Sequence, residues 1–144
     1  PRLSIGPIPA FYTRLKAGKD CFCSETVRDF LDMEDFFALL DKAMSPEAAQ
    51  GVFNVSTGRG HSILEVYRAV ASALGMDVPD APVMPPGADD VAAVVLDPSR
   101  TEAAFDWRAL VSFEESIARM VAWYDEHGVR AIYSHLRAPG KSGT

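Results

Sequence analysis

Arg28 is the lone cation in a short apolar stretch, Val27-Arg28-Asp29-Phe30-Leu31, and it invites two kinds of chemistry. A guanidinium is a planar fork of donors that matches a phosphate, so one reading is an anion donor. The other is a surface ion pair with the neighbouring Asp29, which contributes little. Spacing alone leaves both open. A second candidate is Phe53-Asn54-Val55-Ser56-Thr57-Gly58-Arg59-Gly60, a strand entering a glycine loop that leads into a helix. Such a loop suits phosphates, because its N–H groups and the helix N-terminus attract anions. As a dinucleotide fingerprint it fails: Gly58 and Gly60 fill the first two glycine positions, Ile63 stands in the third, and no second strand ending in a carboxylate follows. A tight strand-to-helix turn capped by Ser62 is the expected role. Cys21 and Cys23 lie two apart and share a face on a strand, but His61, His127 and His135 stand at no ligand spacing from them. They read as small apolar strand residues, and no metal site is expected. Asp89-Asp90 and Glu114-Glu115 read as solvated or helix-start charges, and no nucleophile elbow is present.

The elements that must position these residues follow from periodicity and punctuation. Ile8, Phe11, Tyr12 and Leu15 recur at helical spacing, with prolines 7 and 9 in the first turn and Gly18 as the stop. Cys21-Phe22-Cys23 and Val27 to Leu31 read as two extended segments. Asp32 caps a helix whose Phe36, Phe37, Leu39, Leu40, Ala43 and Met44 form a wide apolar stripe closed by Pro46. Val52 to Val55 is expected as a strand. Ser62 with Glu65, Ser99 with Glu102 and Ser112 with Glu115 are three capping boxes that open helices. Residues 76–90, rich in proline and acid, read as an irregular surface loop, and Val91 to Leu96 as a strand. Gly128 ends the helix after Ser112, a last helix is expected over 129–136, and 138–144 as a frayed tail. Trp107 and Trp123 are expected in the core and in helix packing.

The expected total is four or five helices with about four short strands, a small mixed α/β layer. It lacks the regular βαβαβ series of a nucleotide-binding sheet. The 144 residues suit about one domain, here 1–137 followed by the tail, and a hydrophobic content of 48% can bury a core. Fourteen Lys and Arg against twenty Asp and Glu give −6, which argues against nucleic-acid backbones as partners. No apolar run approaches the ~20 residues of a membrane span, and two cysteines favour a reducing compartment, so a cytoplasmic location is expected. The chain opens at Pro1 without Met and runs straight into patterned sequence, as a piece of a longer protein would.

The order of these pieces resembles the C-terminal, substrate-binding part of extended short-chain dehydrogenase/reductases, the NAD-dependent nucleotide-sugar epimerases and dehydratases. Pro1-Arg2 resembles the end of the family's Asn-x-Tyr-Gly-Pro-Arg segment. Val27-Arg28-Asp29-Phe30-Leu31-Asp32-Met33-Glu34-Asp35 resembles its Arg-Asp-(Phe/Tyr)-x-x-Val-x-Asp stretch. Phe53-Asn54-Val55-Ser56-Thr57-Gly58, with Ser62 and Glu65, resembles Tyr-Asn-(Ile/Val)-Gly-x-Gly…Ser…Glu. Asp97-Pro98-Ser99-Arg100 and Phe105-Asp106-Trp107 resemble the Asp-x-Ser-Lys and Leu-Gly-Trp signatures.

The resemblance implies a UDP-sugar 4-epimerase as parent, a homodimer, with a nucleotide-diphosphate sugar as ligand. It implies that Arg28 reaches the diphosphate, that Phe22 and Cys21 run along the base, and that Asp90 lies near the ribose and diphosphate. At Gly87-Ala88-Asp89-Asp90 the chain departs from the family's Arg-(Pro/Ala)-Gly-Asp, so a second phosphate-binding arginine is missing. NAD and the family's Tyr-x-x-x-Lys pair belong to a first, Rossmann domain, which would partner this chain in cis or in trans. Tyr12 and Lys16 have that spacing but read as one helix face outside any cofactor context. No catalytic or cofactor-binding residue is therefore expected in the chain itself. The contrasting expectation is a non-catalytic nucleotide-sugar-binding or interaction module on the same scaffold.

Overall fold

A computed structural model describes residues 4–88, 90–129 and 132–133. Pro1-Arg2, His135 and the expected tail lie outside the described residues. Three helices form the core: α1 (Pro7–Lys16), α3 (Ile63–Ala73) and α5 (Phe113–His127). α3 packs between the other two. Their facing stripes bury Phe11, Val66, Val70 and Ile117 almost completely, with the Phe11 ring edge-on to Tyr67 at 5.4 Å. Interdigitated apolar side chains of this kind are worth roughly 1.5–3 kcal/mol each when fully buried. Tyr12 and Lys16 do share one helix face. The Tyr12 hydroxyl and Lys16 Nζ both donate to Asp125 Oδ1 at 2.8 Å, tying α1 to α5.

Helix starts follow local chemistry, with two corrections. Asp32 caps α2 (Met33–Ala43) by accepting from Glu34 N. Ser62 and Glu65 make the full reciprocal box on α3. Ser112 caps α5 by accepting from Glu115 N, but the Glu115 carboxylate turns to Arg119 at 2.6 Å, so only half of that box exists. The box expected at Ser99 is absent. α4 (Ser99–Phe105) begins one residue earlier than a Ser99 cap allows, and Asp97 Oδ1 accepts from Ser99 N instead.

Seven short strands lie in three small sheets among the described residues. β1 (Ser4–Ile5) pairs in parallel with β7 (Ile132–Tyr133), so these two residues are a strand where a helix was expected. β2 (Cys23–Ser24) pairs in parallel with β5 (Val83–Met84). β3 (Val27–Asp29) is the centre of a three-stranded sheet, antiparallel to β4 (Gly60–Ser62) and parallel to β6 (Ala93–Val94). Only the middle of the strand expected over Val91 to Leu96 is therefore paired. Val52 to Val55 is not a strand, because no ladder partner faces it among the described residues. Side chains anchor that region instead: Asn54 Nδ2 donates to the Asp97 carbonyl, and the Thr101 hydroxyl donates to the Asn54 carbonyl.

α2 docks through one buried carboxylate. Asp35 accepts from Leu110 N and Val111 N at 3.0 Å, while its carbonyl accepts from Trp107 Nε1 at 2.9 Å. Trp107 is buried as expected. The apolar stripe of α2 divides: Leu39 is buried, whereas Met33, Phe37, Leu40 and Met44 form an exposed row at i, i+4, i+7 and i+11. Asp35→Ala leaves two amides orphaned beside Trp107, and a loss of about 2–3 kcal/mol in denaturant unfolding is expected, with Asp35→Asn losing less. Equal midpoints for wild type and Asp35→Ala would refute that docking role.

Candidate functional site

β3 is three residues long, and its pairing fixes which way each side chain points. Arg28 lies opposite His61 on β4 and Val94 on β6, and Asp29 lies opposite Gly60. Alternation puts Arg28 and Phe30 on one face of the sheet with His61, and Val27 and Asp29 on the other. Phe113, at the start of α5, stacks on His61 at 3.9 Å between centroids and lies 5.6 Å from Phe30. These rings form one wall of a cleft of about 600 Å³ that Arg59 and Arg108 also line.

The two readings of Arg28 separate on what Asp29 does. Asp29 Oδ1 accepts from Thr57 N at 3.0 Å and from the Thr57 hydroxyl at 2.6 Å, and Oδ2 accepts from Gly58 N at 2.9 Å. Its carboxylate is occupied by the glycine loop, not by Arg28. Arg28 is half-buried, donates from one terminal nitrogen to the Val27 carbonyl at 2.7 Å, and has no ion pair among the described residues. The surface-pair reading is thus set aside.

The same contacts define the glycine loop as a turn. Two of its amides already donate to Asp29, and the Ser62–Glu65 box takes the first donors of α3. Gly58 has φ 73°, and a Cβ there would lie 3.0 Å from the Pro98 ring. A Cβ at Gly60 would lie 2.5 Å from Val27 Cγ1 and 2.7 Å from Val95 Cγ2, so only glycine lets β4 approach β3. Thr57 and the His61–Phe113 stack are the residues that sequence reading missed. The stacked rings are far apart in sequence, and no local pattern announces them.

Segment 23–27 is joined by Cys23 N to the Pro82 carbonyl, Glu25 N to the Met84 carbonyl and Val27 N to the Ala92 carbonyl, so the chain that carries Asp90 leaves this ladder after Met84 and rejoins it at Ala92. Phe22 and Arg28 stand next to the two ends of this ladder, and Asp90 lies in the excursion from it. Phe22 is half-buried. Asp90 is exposed, and its Oδ2 accepts from Gly87 N at 3.0 Å, closing the 87–90 turn. Cys21 goes elsewhere: it is buried with Cys23 in the core cluster that includes Tyr67 and Ala81. Burial pushes both thiols up, Cys23 to about 11. Among the described residues no three His, Cys, Asp or Glu side chains gather as a metal cluster would.

A small mixed α/β unit with this element order is the C-terminal part of an extended short-chain dehydrogenase/reductase, and the chain belongs to the nucleotide-sugar epimerase/dehydratase branch of that family. No protein-family model matches it. It is 31% identical over 99 residues to UDP-glucose 4-epimerase of Bifidobacterium longum subsp. longum, spanning 67% of this chain and 29% of that protein. To UDP-arabinose 4-epimerase 1 of Arabidopsis thaliana it is 31% identical over 104 residues, 70% of this chain and 25% of that protein. Among solved structures, the enzyme WbmG of Bordetella bronchiseptica, in complex with NAD and UDP, superposes with a TM-score of 0.84 and 58% identity. That match covers 95% of this chain and 43% of WbmG. The chain thus spans less than half the length of these relatives.

The thiol environment makes a direct prediction. The thiolate is the nucleophile, and a thiol pKa raised above pH 9 by burial leaves little of it at pH 8. Neither cysteine of the folded chain should react with an aromatic disulfide reagent at pH 8 in the time the urea-unfolded chain reacts fully. Because the folded thiol holds its proton more tightly than the unfolded one, its stabilising contribution is present below pH 9 and is lost as pH rises towards about 11. Fast labelling of the native chain would contradict the buried placement.

Proposed function

We propose that this chain is the substrate-binding part of an NAD-dependent UDP-sugar 4-epimerase, with Arg28 as the donor to the nucleotide diphosphate. The observation that carries this reading is the half-buried Arg28 fork, in no ion pair with a carboxylate among the described residues, on the central strand of the sheet. A guanidinium so placed keeps its planar donors for an anion with paired oxygens. Similarity to a protein solved with NAD and UDP, and to UDP-sugar 4-epimerases, supports the choice of UDP. Phe22, beside the buried Cys21, contacts the base, while the Cys21 thiol stays in the core and the segment's backbone serves the ligand. Asp90, at the tip of the adjacent turn, approaches the ribose and diphosphate. The second family arginine is missing at Gly87, so the phosphates depend more heavily on Arg28.

On this reading NAD is held outside this chain: two amides of the glycine loop donate to Asp29, and Tyr12 and Lys16 donate to Asp125. Hydride chemistry therefore belongs to a cofactor-binding half, and this chain binds, orients and screens the substrate. That half covers the exposed row on α2, where Met33 is 57% and Phe37 54% exposed. The reading also carries a cytoplasmic homodimer. Among the described residues no helix is long and apolar enough to cross a membrane.

A diphosphate contact remote from the reacting carbon is held alike in ground and transition states, so its loss raises KM and spares kcat. In the complete enzyme Arg28→Ala should raise KM about ten- to a hundred-and-fifty-fold, the equivalent of roughly 1.5–3 kcal/mol. Arg28→Lys should recover part of this, keeping charge but losing the fork. Steady-state kinetics with a UDP-hexose decides: an unchanged KM ends the assignment. For the docking face, Phe37→Asp should leave the 144-residue chain folded by circular dichroism and weaken its capture by the cofactor half in a pull-down.

A further inference from the structure

We infer that Asp29 is a positioning residue for Arg28, holding the strand that carries the guanidinium in register by binding the glycine loop. The inference rests on the diphosphate reading of Arg28 and adds a residue to it. A strand of three residues has little ladder of its own, so something beyond backbone pairing must fix its end. The Asp29 carboxylate does this with three donors, Thr57 N, Thr57 Oγ1 and Gly58 N. Thr57 Oγ1 in turn accepts from Arg59 N at 3.1 Å, so the loop is closed on itself as well as on β3.

Two consequences reach Arg28. The first is register. Gly60 sits opposite Asp29 in a slot where Val27 and Val95 leave no room for a Cβ. A slip of one residue would bring Arg59 or His61 into that slot and turn the paired faces over. The anchored loop feeds directly into Gly60, so the Asp29 contacts hold the register that sets His61 across from Arg28. The second is charge. Asp29 adjoins Arg28 in sequence, but alternation turns the two side chains to opposite faces, and the Asp29 oxygens are engaged by Thr57 and Gly58. Held there, the carboxylate makes no ion pair with Arg28.

The test is a double-mutant cycle on the complete enzyme with a UDP-hexose. Asp29→Ala should raise KM about tenfold with kcat within threefold, and in the Arg28→Ala background it should raise KM less than twofold further. Thr57→Val, which removes one donor, should raise KM in the same direction, and Thr57→Ser, which keeps it, should raise KM less. Inhibition constants add a phosphate-specific readout: Asp29→Ala should weaken UDP more than uridine. If Asp29→Ala does not fold, Asp29→Asn and the Thr57 pair carry the cycle. Multiplicative effects of Asp29→Ala and Arg28→Ala, or equal losses for UDP and uridine, overturn the positioning role while leaving Arg28 intact. An Arg28→Ala enzyme with unchanged KM overturns the diphosphate reading itself, and this inference with it.

Discussion

Three donors from one loop converge on the carboxylate of Asp29, and the small sheet that carries the candidate site hangs from that convergence. Hydrogen bonds to a charged group are worth roughly 1.5–3 kcal/mol each, whereas an exposed ion pair is worth about 0–1. The competition for Asp29 between the loop and Arg28 is therefore one-sided, and magnitudes decide it. The loop takes the carboxylate, and Arg28 donates only to the Val27 carbonyl among the described residues. A motif resembling a phosphate cradle is, in this fold, a clamp that leaves a neighbouring arginine available.

The rest of the molecule supports that sheet from two sides. On one side α1, α3 and α5 build the apolar core, and Cys23 of β2 is buried in it. On the other, Asp35 fastens α2 to the loop before α5 by accepting two amides, and Arg119 bridges Glu34 and Glu115 at 2.6 Å. α3 begins one residue after β4, and α2 follows β3 by a short link, so both anchors act on strands of the same sheet. The exposed row on α2 is the counterpart of this arrangement. The helix is held by its polar and Leu39 sides, which leaves Met33, Phe37, Leu40 and Met44 exposed.

Much of the scaffold was legible in the residues because it is local. Asp32, Ser62 and Ser112 cap helices through contacts two or three residues away, and the stripes of α1 and α3 follow from a period of 3.6. Ser99 misled for an equally local reason: Asp97 offered a charged acceptor to the same amide. Extended segments were less legible, because a strand exists only with a partner. Val27 to Asp29 found two, Val52 to Val55 found none among the described residues, and Ile132–Tyr133 found β1 at the far end of the chain.

The site divides along the same line. Residue type offered Arg28 either as a fork for phosphate or as a surface partner of Asp29, and the order of the motifs marked the family. Whether Arg28 or the glycine loop would hold Asp29 was undecided in one dimension, since Asp29 adjoins Arg28 and lies 28 residues from Thr57. Cys21 and Phe22 are neighbours in sequence, yet only the packed core shows that the thiol is buried against Tyr67 and its neighbours. His61 and Phe113 come together only when β4 and α5 are both in place. Local sequence fixes what a residue can donate and the conformation it prefers. Which partner takes the donor depends on long-range packing, because hydrogen bonds and ring stacking act over a few ångströms while the chain between the partners spans tens of residues.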